Sequence, residues 1–171
     1  IYAYGMELLI SDVLNTIIVL LIALFSHTLP AVVVFIAVFM GLRQFVGGFH
    51  ANSHLSCMFT LVMVMMVFSY GICNVSGHIT PIFSISFIMI ALPIILCIAP
   101  VPHPNKPMSE EKSVKLRKRS CILAVTLSVV TIALLVFQYQ KLSLYVSSGM
   151  LLSAIMALLG HFLNRGDNSK R

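Results

Sequence analysis

The sequence predicts an all-α integral membrane protein, a polytopic bundle of about six transmembrane helices. The chain is 59% hydrophobic and only 9% charged, with a mean hydropathy of +1.02, whereas a soluble domain carries about 25% charged residues. Several stretches approach the roughly 20 apolar residues that a helix needs to cross a bilayer. Basic residues flank these stretches in an alternating pattern, which is typical of a multi-pass topology.

Six apolar segments are candidates for the helices, and residues 1–171 are expected to form one integral membrane domain. In chain order, the segments run from Glu7 to Phe25, Leu29 to Leu42, Met58 to Cys73, Ile79 to Ala99, Cys121 to Gln138, and Leu142 to Phe162. The second segment is short for a spanning helix, so it is either a half-helix or extends into its flanks, and its crossing is the weakest of the six. Pro93 predicts a kink in the fourth segment, because proline removes one helical hydrogen bond.

Ten of the eleven Lys and Arg residues lie on alternate connections or on the C-terminal tail, and Lys141 is the exception. The positive-inside rule places such connections in the cytoplasm. We therefore expect a plasma-membrane protein with both termini in the cytoplasm and a basic cytoplasmic loop at 100–120. The net charge of +6 then reflects topology and contact with anionic lipids rather than binding of nucleic acid.

The chain begins with Ile1, so an incomplete N-terminus is expected. Its four cysteines show no CxxC spacing and no pairing pattern, which argues against a disulfide framework or a zinc site. The remaining histidines are scattered along the sequence. Neither a metal nor a cofactor is expected.

The segment 43–57, RQFVGGFHANSHLSC, is the least lipid-like part of the first half of the chain. Gly47 and Gly48 permit a tight bend or a close backbone approach. Cys57 would lie at the cytoplasmic N-terminus of the third apolar helix, where unpaired N–H groups and the helix dipole favour the thiolate. His50 could accept the thiol proton and later protonate a leaving amine. The segment is thus a candidate catalytic loop.

Geometry limits this interpretation, because seven residues on one continuous helix rise about 10.5 Å. His50 and Cys57 can meet only if the chain folds back between them. His54 is a rival base, and Asn52 and Asn105 are candidates for a third residue that orients His50. In the alternative without catalysis, His50 is an interfacial histidine and Cys57 a buried cysteine that lie in the same loop.

Two stretches of the sequence resemble the accessory gene regulator B (AgrB) family. One is the segment 43–57, with its arginine, Gly-Gly and His, and then Cys seven residues after the His. The other is APVPHPNKPMSEEKSVKLRKRS, which follows the fourth apolar segment. The order of apolar segments around these two stretches is also similar, so the resemblance covers essentially the whole chain.

The resemblance implies a membrane cysteine endopeptidase of a Gram-positive bacterium that processes a quorum-sensing propeptide. It implies that Cys57 is the nucleophile and His50 its base, and that Arg43, Gly47 and Gly48 support the catalytic loop. The substrate would be an AgrD-like propeptide, which is cleaved through a thioester to leave a cyclic thiolactone. Family members usually carry an additional N-terminal stretch before the first span, and this sequence lacks it.

The basic connection supplies tentative substrate-binding residues for such a peptide, whose C-terminal tail is acidic. They are Asn105, Lys106, Lys112, Lys115, Arg117, Lys118 and Arg119. The alternative is that the five basic residues from 112 to 119 only set topology and contact anionic lipids. The proline-rich run before them is extended and could form a wall near the His/Cys loop.

Two rival functions remain open. A small-solute or peptide transporter or channel would use discontinuous helices, and Asp12, Pro93 and the short second segment fit that architecture. A non-catalytic membrane partner or assembly subunit is the other. Small residues at Ser147, Ser148 and Gly149 allow close helix packing, so a homo-oligomer is also an option.

Overall fold

The computed structural model describes residues 2–25, 27–46, 79–101 and 110–168, together with Met63, Val67 and Gly71. Within these residues the long elements are five helices. They are α1 (Tyr2–Phe25), α2 (Leu29–Val46), α3 (Thr80–Ile98), α4 (Glu110–Val136) and α5 (Gln140–Asn168). The described residues include no strand, which confirms the all-α prediction.

Four helices are long and apolar enough to cross a membrane, as expected for a multi-pass membrane protein. The spans are Leu29–Val46, Thr80–Ile98, Ser113–Val136 and Gln140–Phe162, and Thr16–Phe25 is a shorter apolar stretch within α1. The predicted third segment, Met58 to Cys73, falls almost wholly outside the described residues. The predicted count of about six segments is therefore approximate.

Beside the two predicted loops, the helices are longer than the apolar segments. The second segment does not end at Leu42, because α2 continues to Val46. Its 18 residues give a helix about 27 Å long, close to the thickness of the hydrocarbon core. Similarly, α4 begins at Glu110, so residues 110–120 of the predicted basic loop are helical. No glycine or proline interrupts either extension.

Both short turns use the same cap. The N–H groups of His27 and Thr28 donate to carbonyl oxygens of α1 at 3.3 and 3.0 Å, and those of Gln138 and Tyr139 donate to carbonyls of α4 at 3.1 and 2.8 Å. His27 and Gln138 have φ values of 55° and 65°. This is the Schellman arrangement, with a left-handed residue that is more often glycine. Each cap reverses the chain into an antiparallel helix pair.

Two hydrogen bonds define the two ends of the bundle. The N–H of Val101, just after α3, donates to the carbonyl of Val46 at 2.9 Å, so α2 and α3 end side by side. Ser84 and Ser143 join the first turns of α3 and α5 through their hydroxyl groups, 3.1 Å apart. Because α4 and α5 are joined by a short turn at that second end, α4 begins at the Val46–Val101 end.

Basic residues gather at the end where Val46 meets Val101, which we call the basic end. Seven of the eight Lys and Arg residues in the five helices lie there, in the last turn of α2, the first turns of α4 and the last turns of α5. The exception is Lys141, at the start of α5. The alternating charge pattern of the sequence therefore corresponds to one end of the folded bundle.

The central helix is α5, which packs against α2, α3 and α4. In its span, 67% of the residues are buried, compared with 22% in α3 and in α4. Its buried residues include many small ones, and several serines among them donate to carbonyls of their own helix, as Ser148 does to Tyr145 at 2.9 Å. Small side chains with satisfied hydroxyl groups let neighbouring helices approach closely.

The closest approach is between Gly149 of α5 and α2. A Cβ atom at Gly149 would lie 3.0 Å from the Phe35 carbonyl oxygen and 3.0 Å from Val38 Cγ1. One turn later, the Ser153 hydroxyl lies 2.9 Å from the Gly149 carbonyl and 3.4 Å from that of Phe39. The small residues predicted for close packing therefore serve contacts within the chain.

The opposite faces of α3 and α4 carry large apolar side chains on the outside. Met89 is 70% exposed, Ile82 is 65% exposed and Val129 is 60% exposed. A soluble surface rarely carries so continuous an apolar area, so this face is the one that lipid covers. Pro93 is also on the exposed side of α3, and the helix runs through it without interruption.

We expect Gly149→Ala to lower the free energy of unfolding by about 1–3 kcal/mol, because the new methyl group meets a backbone carbonyl that cannot move unless α2 shifts. Gly41→Ala is the matched control, since a Cβ there meets nothing within 4 Å. This control should be stabilising by about 0.5–1 kcal/mol through helix propensity. Unfolding of the detergent-solubilised variants measures both values, and equal effects would contradict the proposed packing.

Candidate functional site

Arg43 lies in the last turn of α2, at the basic end. Its guanidinium carbon is 5.7 Å from the centroid of the Phe39 ring, one helical turn earlier, within the range of a cation–π contact. Phe39 is 0% exposed, and its ring stacks on that of Phe35 with centroids 6.5 Å apart. The position of the Arg43 head group is therefore tied to the packed core of α2 and α5.

The Val101–Val46 hydrogen bond joins two distant parts of the sequence at the same place. Val46 is 0% exposed and Val101 is 5% exposed, and both belong to one apolar cluster with Leu42, Ile95 and Ala99. A buried backbone hydrogen bond of this kind is costly to break, because both groups would lose their partner away from water. The beginning of the proline-rich run is thus fixed beside the beginning of the candidate catalytic loop.

The sequence itself explains why the chain leaves α3 at this point. Ala99 precedes Pro100, and it has extended backbone angles of φ −71° and ψ 141°, as expected for a residue before proline. Its N–H donates to the Ile95 carbonyl at 3.0 Å, which completes the last turn of the helix. The next N–H, that of Val101, is then free to reach α2.

The basic residues of α4 extend from the packed bundle on more than one face of the helix. Lys115, Arg117, Lys118 and Arg119 are all exposed. Lys115 pairs with Glu111 at 3.3 Å, with side chains 70% and 84% exposed. Such an exposed pair contributes little to stability. The backbone of Lys112 belongs to the same helix. The basic residues 112–119 therefore lie on a helix rather than in a loop.

The other predicted site residues lie outside the described residues. They are Gly47, Gly48, His50, Cys57, Asn105 and Lys106. The pairing of His50 with Cys57 therefore stays a prediction. Arg43 and the α4 residues are placed at the same end of the bundle. The described residues that precede 47 and those on either side of 102–109 also lie at that end, whereas Ile79, just before α3, lies at the opposite end.

In the described part of the chain, no group of three His, Cys, Asp or Glu residues could hold a metal ion. Cys97 of α3 and Cys121 of α4 are free thiols. Both lie in helices, and Cys97 is exposed whereas Cys121 is partly buried. They offer useful controls for experiments on Cys57.

Three residues of this region escape prediction from the sequence: Phe39, Val46 and Val101. For Phe39 a signal exists, because an aromatic residue four positions before an arginine lies on the same helical face. No comparable signal exists for Val46 and Val101. A hydrogen bond between backbone groups 55 positions apart depends on how α2 and α3 are each packed against α4 and α5.

Comparison with known proteins agrees with this arrangement. The family profile described as "Accessory gene regulator B" matches residues 1–157. A relative from Clostridium beijerinckii, described as a putative AgrB-like protein, is 24% identical over 116 residues. That match covers 66% of this chain and 56% of the relative, so the chain spans little more than half of that protein. No solved structure matches the chain significantly.

The family profile covers three of the four candidate membrane spans and most of the fourth, together with the candidate catalytic loop and the basic segment of α4. This confirms the resemblance that the two sequence stretches indicate. The chain belongs to the accessory gene regulator B (AgrB) family.

Proposed function

We propose that this protein is a membrane cysteine endopeptidase that removes the C-terminal tail of an AgrD-like propeptide and leads to a cyclic thiolactone signal. Family membership supports the processing role in quorum sensing. The observation that carries the proposal is the Val101–Val46 hydrogen bond, 2.9 Å long. It joins Val46 of the segment 43–57 to Val101 of the stretch that begins at Ala99, at the end of the bundle that carries the basic residues.

In the proposed first step, His50 accepts the proton of the Cys57 thiol, and the thiolate attacks the carbonyl carbon at the end of the signal sequence. N–H groups at the start of the following helix would stabilise the oxyanion. The tetrahedral intermediate collapses as the C–N bond breaks, and His50 returns the proton to the departing amine. The acidic tail leaves, and a thioester links the signal sequence to Cys57.

In the second step, the thiol of the propeptide's own cysteine loses its proton and attacks this thioester. The new thioester closes the ring, and the thiolate of Cys57 departs and regains a proton. One thioester replaces another, so the exchange is nearly balanced in free energy. Release of the tail and removal of the ring would drive the sequence forward.

Sidedness follows from the charges at the basic end. Seven basic residues of the described helices lie there, and the positive-inside rule assigns such an end to the cytoplasm. Cleavage would then occur where thiols stay reduced and where a newly made propeptide arrives. The basic end also attracts a peptide whose tail is acidic, because a cluster of positive charges on the protein raises the local concentration of an anionic ligand.

A transporter is the main alternative, and the described helices lend it little support. Transporter sites of the kind considered above use helices that are broken near the middle of the membrane. Here α3 continues through Pro93, and α5 is continuous along its whole described length. A non-catalytic subunit is the second alternative, and it predicts that Cys57 is dispensable.

Replacing the nucleophile is the direct test. We expect Cys57→Ala and His50→Ala each to lower propeptide cleavage by about 10³-fold or more, because the two groups act as a unit. Cys97→Ala and Cys121→Ala are matched controls that remove a free thiol elsewhere, and they should cleave normally. Cleavage is followed by mass spectrometry of the co-expressed propeptide, with membrane insertion checked for every variant. Normal processing by Cys57→Ala would exclude the proposed mechanism.

The Val101–Val46 hydrogen bond can be removed by one substitution. Val101→Pro lacks the N–H donor, and we expect it to slow cleavage by about tenfold, since the buried acceptor loses its partner and the two segments lose their registration. Val101→Ala retains the N–H and is the matched control for the change in side-chain volume. Similar cleavage rates in the two variants would show that the two segments do not form one site.

The contribution of Arg43 to propeptide cleavage should depend on its contact with the Phe39 ring. Phe39→Leu keeps an apolar core residue but removes the π face, and we expect kcat/KM for the propeptide to fall about fivefold, or about 1 kcal/mol. In an Arg43→Gln background the same Phe39→Leu change should have little further effect on kcat/KM. Additive losses in this double-mutant cycle would mean that the two residues act independently.

A further inference from the structure

The first turns of α4 present basic side chains on two different faces, and the rest of the helix identifies each face. Farther along α4, the residues Ser120, Ala124, Ser128 and Thr131 are buried against the bundle, whereas Ile122, Val125 and Val129 are exposed. The first set repeats every three or four residues, and so does the second, so each set forms one continuous stripe along the helix. When the two stripes are extended toward the N-terminus of α4, each of the basic residues discussed below falls on one of them.

Lys118 continues the exposed stripe. It lies four residues before Ile122 and seven before Val125, which places it on the same side of the helix. Lys115 lies seven residues before Ile122 on this side as well. The outer face of α4 therefore gains two lysines in the two turns before Ile122, where Val114 is also exposed.

Arg117 continues the buried stripe instead. It lies three residues before Ser120 and seven before Ala124, both 0% exposed. The Ser120 hydroxyl donates to the Arg117 carbonyl at 2.9 Å, so the helix is regular at this junction. Arg117 is itself exposed, because it projects past the packed part of the bundle on the side from which α4 meets its neighbours.

We propose that Lys115 and Lys118 form a binding site for the phosphate groups of anionic lipids, whereas Arg117 does not belong to it. The apolar stripe below these lysines is 46–60% exposed at Ile122, Val125 and Val129, so acyl chains cover it. One turn along the helix is about 5.4 Å. A lysine stem lies along the apolar surface and carries its ammonium group to the level of the lipid head groups.

The surroundings of the two lysines favour lipid over an acidic peptide. A peptide bound at the Val46–Val101 junction would have to pass around α4 to reach its outer face. No described carboxylate pairs with Lys118, and the pair of Lys115 with Glu111 is exposed on both sides and therefore weak. Both ammonium groups are available to a head group, and a lipid phosphate is the anion that is already beside them.

The test compares adjacent positions on one helix. The full-length protein is reconstituted in nanodiscs of phosphatidylcholine alone and of equal parts of phosphatidylcholine and phosphatidylglycerol. Native mass spectrometry then gives the ratio of the two lipids that remain bound. The variants are Lys118→Gln, the double variant Lys115→Gln/Lys118→Gln, and Arg117→Gln as the matched loss of one charge. None of these measurements depends on peptide cleavage.

We expect the preference for phosphatidylglycerol to fall about fivefold in Lys118→Gln and about 25-fold in the double variant, from the attraction of each basic residue to an anionic surface. Arg117→Gln should stay within about twofold of the native protein, and added salt should weaken the native preference. An equal loss in Arg117→Gln, or a full preference retained by the double variant, would overturn the proposal. So would a double variant that loses only its binding to a synthetic acidic peptide.

Discussion

The close approach of α5 to α2 is the contact on which the rest of the structure depends. At Gly149 there is no room for a methyl group between α5 and the Phe35 carbonyl or the Val38 side chain. That approach lets Ser153 reach the Phe39 carbonyl and keeps Phe39 fully buried. Because the Arg43 guanidinium lies over the Phe39 ring, helix packing in the middle of the bundle determines where a charged group sits at its end.

This kind of packing suits a protein whose surroundings are apolar. Lipid offers no hydrophobic gain for bringing two helices together, so association depends on close contact and on hydrogen bonds. The buried serines of α5 satisfy their hydroxyl groups mainly within their own helix, as Ser147 does with Leu144 at 3.1 Å. The interior of the bundle therefore combines buried serine, glycine and alanine residues with large apolar side chains such as Phe39 and Met150, while many large apolar residues of α3 and α4 face outward.

Much of this fold could be predicted from the sequence because composition and charge act over long stretches. Apolar length gives the helices, and the alternation of basic residues gives the common end. The boundaries of the helices were less predictable. Arg43 indicates the end of an apolar span, but one arginine at the membrane interface does not end a helix, and α2 continues to Val46. The basic run from 112 to 119 reads as a loop for the same reason, although its residues favour a helix.

The candidate site was harder to predict than the fold. Its reactive pair, His50 and Cys57, is indicated by residue type and by family resemblance, and their geometry stays a prediction. The residues that hold the site together are ordinary apolar ones. Val46 and Val101 contribute backbone groups. The valine side chains give no indication of a backbone hydrogen bond between residues 55 positions apart. Only the packing of α2 and of α3 against α4 and α5 brings these groups to hydrogen-bonding distance.

The two faces of α4 suggest why so many basic residues are concentrated in one helix. A charge that fixes the helix against the lipid head groups cannot at the same time pair with a peptide tail, since an ammonium group bound to phosphate is already neutralised. Lys118 and Arg117 are adjacent in sequence and therefore project about 100° apart around α4, so the helix directs them toward different neighbours. In this arrangement the lysines set the depth of α4 in the membrane, and that depth keeps Arg117 and the neighbouring segments at a constant level relative to an incoming peptide.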